Sequence, residues 1–505
     1  MVGPLLSRLL LLCAGCQPQG EPLPPSMSAG DRAEEVPSGA LPTDGPKGPL
    51  VLLVSWDTTR ADALGCYEAE AHWGLDLDPE QRPAPRTPTA DALAARGVRA
   101  RWALAHAPTT LNSHASVFSG LDPHGHRVPR NGFPVPPDVP LLGERFADAG
   151  WDTIAVVGAS VLEQDMGISR GFRVYDDDVG TRVRRRHEDP ADRVVDRVLA
   201  ALDARTSTTD PLFLFAHFFD AHSPWDTAPE SVREALFDPE YRGPFDGSGP
   251  AMDWLIRSTR QGRVSTGDRR QARAAYLAEV SFADQELGRL LRGLDERGYG
   301  GEQLVVLFGD HGEALDERPG RPYQHGLDVD LPVIHVPLIL SGQGRFALPA
   351  GRVFDQPASL SDVGPTIHGL AGFDGGIGDG EDLRQRWEAP LEADRQDTPH
   401  FAEATKPGAL EGSTGWNNLG FSRAVVHAGR MLRHAPALAE PASLHALAPG
   451  QPVVPDDGQA MALRALLDGW DAGAPSRRTV SLRPETRSAL EALGYLEPGN
   501  ESRNE

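Results

Sequence analysis

The sequence predicts an α/β fold built on a large, mostly parallel sheet flanked by helices on both faces. From about residue 48 to about residue 375, apolar runs of strand length alternate with helical patterns. The runs are continuous rather than alternating, as strands buried on both faces require. Asp and His residues gather directly after several of them, and open α/β sheets bind ligands outside the carboxyl ends of their strands.

The elements follow in order. Leu50-Val-Leu-Leu-Val-Ser-Trp56 is an unbroken apolar strand that runs straight into Asp57. Thr87-Pro88 supplies an N-cap with proline at the first helical position, and the Ala- and Leu-rich stretch behind it stops at Gly97. Leu141 to Ala149 reads as helix and Thr153 to Val157 as strand. Asp189-Pro190 opens a helix with Val194, Val195, Val198, Leu199 and Leu202 on one face. A strand at Leu212 to Phe215, a long helix from about Arg270 to Arg297, strands at Leu304 to Phe308 and Val336 to Leu340, and a helix near Pro365 to Leu370 complete the pattern.

Composition narrows the class. With 505 residues, 40% of them hydrophobic and 54 glycines and 45 prolines among them, the chain is globular and rich in loops. Its 72 acidic against 49 basic side chains give a formal charge of −23, which repels phosphate backbones and argues against nucleic acid as a main partner. The short basic run Arg182 to Arg186 is a solvated loop or a greeting for an anionic substrate.

At the amino terminus, Arg8 precedes a short leucine run and then Cys13-Ala-Gly-Cys16. A run this short cannot cross roughly 30 Å of hydrocarbon, which needs about 20 residues, so it reads as an export signal. The Ala-Gly-Cys ending resembles a bacterial lipobox, with Cys16 the lipidated first residue and Gln17 suiting outer-membrane delivery. The expectation is a lipoprotein of the outer membrane or periplasm, anchored to the membrane through Cys16. Processing there leaves Cys66 without a disulfide partner. Residues 17–47, dense in Pro, Gly, Ser and Glu, read as a tether.

The chemistry lies at the strand ends. Asp57 follows the first strand, Asp220 and His222 follow Phe215, Asp310-His311-Gly-Glu313 follows Phe308, and His325 sits in the loop before the next strand. Carboxylates and imidazoles converging on one crevice suit one or two divalent ions, with Ca, Mg, Mn and Zn all open. A helix expected from about Asn112 to Ser119, closed by Gly120, puts Thr110 at its amino end, where N–H groups and the macrodipole favour an anion. Thr110 is then a candidate nucleophile, with Thr109 its competitor.

These segments, in this order, resemble the sulfatase family of the alkaline phosphatase superfamily. Val54 to Tyr67 is similar to its opening metal-binding strand and turn, Ser113 to His126 to its nucleophile helix, and Phe219-Asp-Ala-His-Ser-Pro-Trp225 to its histidine loop. Gly309 to Glu313, His325-Gly, Val336-Pro-Leu-Ile and Ala489 to Leu496 complete the series. The resemblance makes Asp57, Asp310 and His311 metal ligands, with Asp220 available to a second ion. It gives His114, His222 and His325 to the substrate's anionic group and makes His222 and His325 the candidates for protonating the leaving oxygen. It also implies a smaller carboxyl-terminal antiparallel sheet carrying Ala424 to Leu432 and Ser443 to Leu447, with a helix at about Gln459 to Trp470. The organisation expected is a signal at 1–16, a tether at 17–47, a catalytic domain at 48–375 and this subdomain at 376–505, with Thr227 to Gly267 as a lid or specificity loop.

One departure alters the chemistry. Sulfatases oxidise the Cys or Ser of Cys/Ser-x-Pro-x-Arg to formylglycine, whereas the stretch here is Thr110-Leu-Asn-Ser-His114, and threonine cannot form that group. A threonine alkoxide attacking phosphorus gives a phosphothreonine that water can cleave; a sulfated threonine lacks the elimination route of a formylglycine hydrate. The expectation is a metal-dependent hydrolase of small anionic phosphate or sulfate esters, with phosphoryl esters favoured. A formylglycine-independent sulfate ester hydrolase, a phosphoryl transferase and an inactive binding lipoprotein stay open, as does the oligomeric state.

Overall fold

The computed structural model describes residues 47–67, 83–179, 188–207, 209–317, 322–388, 398–405, 422–435, 442–447, 457–475, 483–484 and 488. The signal, nearly all of the tether, the basic run Arg182 to Arg186 and the end segment Ala489 to Leu496 lie outside the described residues.

Among the described residues, eight strands form the main sheet: β1 (Leu50–Trp56), β2 (Val98–Ala100), β4 (Asp152–Val157), β5 (Val174–Asp176), β6 (Leu212–Phe218), β7 (Gln303–Gly309), β9 (Leu338–Gln343) and β10 (Arg352–Phe354). Their order is β10-β2-β9-β7-β1-β6-β4-β5, and β9 alone runs against its neighbours. A small sheet joins β3 (Ala103–Leu104), β8 (His335–Val336) and β11 (Ala358–Ser359). The segment expected as one strand over Val336 to Leu340 is therefore broken at Pro337, which has no N–H for a ladder and turns the chain from one sheet into the other.

β1 lies between β6 and β7 with both faces covered, which is why its sequence has no polar alternation. Val51 and Leu53 join Leu111, Ala115 and Phe118 in one core, while Leu50, Leu52 and Val54 join Tyr276, Leu287 and Leu290 in the other. Truncating such a residue to alanine costs about 2–5 kcal/mol. The helix Thr110–Ser119 thus covers one face and the long helix Thr266–Glu296 the other. The helix Pro88–Arg96 starts and stops where the sequence indicates, although its first N–H groups, on Thr89 and Ala90, are satisfied from a distance by the Asp284 carboxylate. Leu199 is only partly buried on the helix Ala191–Asp203, whose other predicted apolar positions are in the core.

The carboxyl-terminal lobe is a four-stranded antiparallel meander of β12 (His400–Ala404), β13 (Ser422–His427), β14 (Arg430–His434) and β15 (Ala442–Ala446). Ala424 to Leu432 is not one strand but a hairpin, turned at Ala428-Gly429 with both residues at positive φ. The helix Asp457–Ala472 packs on it through Leu463 and Leu467. The expected lid carries structure of its own, the helices Glu230–Glu234 and Gly249–Arg260, and its start is pinned by the buried Glu279 carboxylate, which accepts from the N–H groups of Thr227 and Ala228. Among the described residues no helix is long and apolar enough to cross a membrane.

Candidate active site

The parallel register brings the strand ends level. Trp56 pairs with Phe218 and Gly309, so Asp57, the chain after Phe218, and Asp310 leave the sheet at one height. The helix Thr110–Ser119 starts above this edge, two residues earlier than the sequence suggests, with Thr109 as N-cap and Gly120 closing it at φ 69°. Its early start is stabilised from outside the helix, because the Leu111 N–H donates to Asn131 Oδ1 at 2.8 Å. The two threonines then divide. Thr109 donates its hydroxyl to Asn112 Oδ1 at 2.7 Å, while Thr110 donates to Asp57 Oδ2 at 3.2 Å.

Asp57, Asp310 and His311 come together with one ligand atom from each within 4.8 Å of the others. Asp310 Oδ1 accepts from the Thr58 and His311 N–H groups at 3.1 and 2.7 Å, and His311 Nδ1 donates to the Gly312 carbonyl at 3.0 Å. What these bonds leave over is Asp57 Oδ1, Asp310 Oδ2 and His311 Nε2, all buried and without a hydrogen-bond partner. Orphaned buried polar atoms are costly, and these three are the atoms a cation needs. The donor set, two carboxylates and one imidazole, therefore fits a divalent ion.

Electrostatics agree. Burial raises the Asp57 carboxyl, but the His217 hydrogen bond and the nearby His311 outweigh it and hold Asp57 below its usual range. Burial and the neighbouring Asp57 push Asp310 well above its own. Two such carboxylates are ionised together readily only with positive charge between them. Burial, with His325 close by, depresses His311 and His222 to about 4, so both imidazoles are neutral at ordinary pH.

His222 and His325 are partly exposed at the rim, their rings 4.9 Å apart, with His325 also 4.7 Å from the His311 ring. Glu313 Oε2 holds His325 Nδ1 at 3.1 Å, and burial pushes the Glu313 carboxyl up to about 8. Arg60, fully buried, steadies that loop by donating to the Glu313 carbonyl at 3.0 Å while paired with Asp62 at 2.7 Å. Thr58 adopts φ 49°, which is uncommon for a β-branched residue, and it is held there by Tyr276, whose hydroxyl donates to the Thr58 carbonyl at 2.8 Å.

Two expected residues lie elsewhere. Asp220 does not join the ligand groups; both its oxygens accept from the Ala191 N–H at 3.1 Å, so it serves the amino end of the helix Ala191–Asp203. His114 is not at the mouth either. It points into the core beneath Thr110, fully buried, with Nδ1 on the Thr110 carbonyl at 2.7 Å and its ring 5.8 and 5.7 Å from those of Phe215 and Phe308. Two residues that sequence reasoning passed over belong to the site. His217, inside β6, approaches Asp57 Oδ2 with Nε2 at 3.3 Å, and Asn131 anchors the helix Thr110–Ser119 while its Nδ2 is buried without a partner. The one sequence signal for His217 is a histidine inside an apolar run, which usually marks only a satisfied core histidine.

A sheet that gathers carboxylates, imidazoles and a hydroxyl outside the carboxyl ends of its strands has the architecture of an α/β enzyme active site. The sulfatase family model matches residues 49–373, and the chain belongs to the sulfatase family, whose members are hydrolases acting on sulfate esters. Among curated proteins it is similar to a sulfatase of Formosa agariphila, 25% identical over 344 residues, covering 57% of this chain and 65% of that protein. An ulvan-active sulfatase of the same organism is 24% identical over 377 residues, covering 70% of this chain and 68% of that one. The fold is that of the phosphonate monoester hydrolase of Agrobacterium radiobacter, at TM-score 0.60 and 19% identity, covering 86% of this chain and 100% of the other.

Proposed function

We propose that this chain is a divalent-metal-dependent hydrolase in which Thr110 attacks small anionic esters, phosphoryl esters and diesters in preference to sulfate esters. The observation that carries the reading is the Thr110 hydroxyl, 3.2 Å from Asp57 Oδ2 at the first turn of a helix, beside three orphaned ligand atoms. A divalent ion held by Asp57, Asp310 and His311 would supply the positive charge that acidifies the hydroxyl and offsets charge gathering on the transferred group. Asp57 orients the Thr110 oxygen through their hydrogen bond. The dipole at this end of the helix favours the anionic ester. The Thr110 hydroxyl passes its proton along its hydrogen bond to Asp57 Oδ2, its oxygen bonds to phosphorus as the bond to the ester oxygen breaks, and the departing oxygen takes a proton at the rim from His325, beside the Glu313 carboxyl, rather than from His222, whose imidazole is neutral. Water then cleaves phosphothreonine, the same imidazole accepting its proton.

The relatives' names favour a second reading, sulfate ester hydrolysis, for which Thr110 has no formylglycine chemistry. Initial rates on aryl phosphate, aryl phosphodiester, aryl phosphonate and aryl sulfate decide between them. A preference for phosphorus esters supports the mechanism, and faster turnover of the sulfate overturns it. We also propose export and lipid anchoring through Cys16. Cys16→Ser should move the protein from the membrane fraction to the soluble one, and an intact Met1 in the mature protein would reject the anchor.

A further inference from the structure

Beneath the nucleophile helix a second group of ligand atoms is fully buried. His114 comes from that helix, His217 from β6 and Asp310 from the end of β7, and one ligand atom from each lies within 4.8 Å of the others. Ser55, level with His217 in the register of β1 and β6, adds a buried hydroxyl without a partner.

The hydrogen bonds decide which ring nitrogens are available. A carbonyl can only accept, so His114 Nδ1, at 2.7 Å from the Thr110 carbonyl and 3.8 Å from Asp310 Oδ2, carries the proton and Nε2 keeps its lone pair. His217 Nε2 faces the Asp57 carboxylate at 3.3 Å, which assigns the proton there and the lone pair to Nδ1. Both His114 Nε2 and His217 Nδ1 are buried without a hydrogen-bond partner, and so is Asp310 Oδ2. Each imidazole is thus oriented by an oxygen acceptor on one nitrogen and leaves the other bare, as metal-ligating histidines commonly do. Left empty, the group would carry three buried polar atoms unsatisfied, with the His114 ring packed 5.8 and 5.7 Å from those of Phe215 and Phe308, a costly arrangement in an apolar core.

We propose that His114, His217 and Asp310 bind a second, inner cation behind Thr110, sharing Asp310 with the outer ion of the proposed mechanism. Two imidazoles and one carboxylate select a nitrogen-preferring ion such as Zn(II) over Ca(II) or Mg(II), whereas the outer group, with two carboxylates, accepts either kind. The inner ion fixes Asp310 from below and, through His217, fixes the Asp57 oxygen that receives the Thr110 hydroxyl. The proposal rests on the outer reading only through Asp310, and the two can fail separately.

The test is metal stoichiometry on the chelator-stripped full-length protein, reloaded with Zn(II) or with Ca(II), dialysed and measured by elemental analysis. The expected result is two zinc ions per chain in the wild type and one in His114→Gln, with calcium saturating at one. His217→Gln repeats the measurement should His114→Gln fail to fold, and His222→Asn, which leaves the inner group intact, should still hold two. A wild-type value of one zinc ion overturns the inner site while leaving the outer one standing. Two zinc ions retained in both His114→Gln and His217→Gln, but one in His222→Asn, overturns it as well, by moving the second ion to the rim. No zinc or calcium bound at all overturns both sites.

Discussion

Two helices begin at the active edge of the sheet, and they treat a buried carboxylate differently. At Ala191 the N–H is taken by both oxygens of Asp220, which closes that helix end to any ligand. At Thr110 the neighbouring Leu111 N–H is met by the neutral amide of Asn131, and the nearby carboxylate, Asp57, receives a side-chain hydroxyl and keeps one oxygen unpartnered. In the sequence Asp57 and Asp220 read alike, each a carboxylate that follows an apolar strand. The difference is whether the acid is spent on the backbone or left for something else.

Removing the metal strikes this contrast hardest. Exhaustive chelation should abolish turnover and lower Tm, with both restored by a divalent ion; full activity in metal-free protein would break the reading of the Thr110 end. Thr110→Ala comes next, with an expected loss of about 10³-fold or more in kcat at unchanged metal content, against less than about tenfold for Thr109→Ala. Equal losses would mean that the hydroxyl bonds do not separate the two threonines. Asn131→Ala should strand the buried Leu111 N–H, costing about 1–3 kcal/mol in denaturant unfolding and lowering kcat more modestly.

Asp220 gives the smallest effect on activity and a distinct signature in pH. Burial pushes its carboxyl up to about 7, so the folded chain holds a proton there that the unfolded chain loses at about 4. This contribution is present at low pH and declines as pH rises through that window, because the folded state then binds more protons than the unfolded one. Asp220→Asn should flatten the loss of Tm between pH 4 and 7 and leave metal content unchanged. Loss of a bound ion in this variant would return Asp220 to the ligand set.

How far the site could be read from sequence follows from the range of the interactions. Asp57 and Asp310 were legible because an apolar run ends and a carboxylate follows, a pattern contained within a few residues. The helix at Thr110 starts two residues earlier than the sequence suggests because the Leu111 N–H is met by Asn131, some 20 positions on, rather than by a local cap. His217 was hidden because a histidine in the run Phe213 to Phe219 looks like any core residue until register and the overlying helix bring it to Asp57. The break at Pro337 was visible as a proline but not as a change of sheet, since which strand a segment pairs with is a property of the whole topology.

Thr58 carries a further consequence. Its left-handed backbone aims Asp57 on one side and offers its N–H to Asp310 on the other, and its carbonyl is held by Tyr276 from the 31-residue helix on the opposite face of the sheet. The carboxylates are therefore clasped from both sides of the sheet, and the long helix, which contributes no ligand of its own to either group, is a lever on their spacing. Directed evolution of this chain for new esters should find useful substitutions along the buried face around Tyr276 as well as in the mouth.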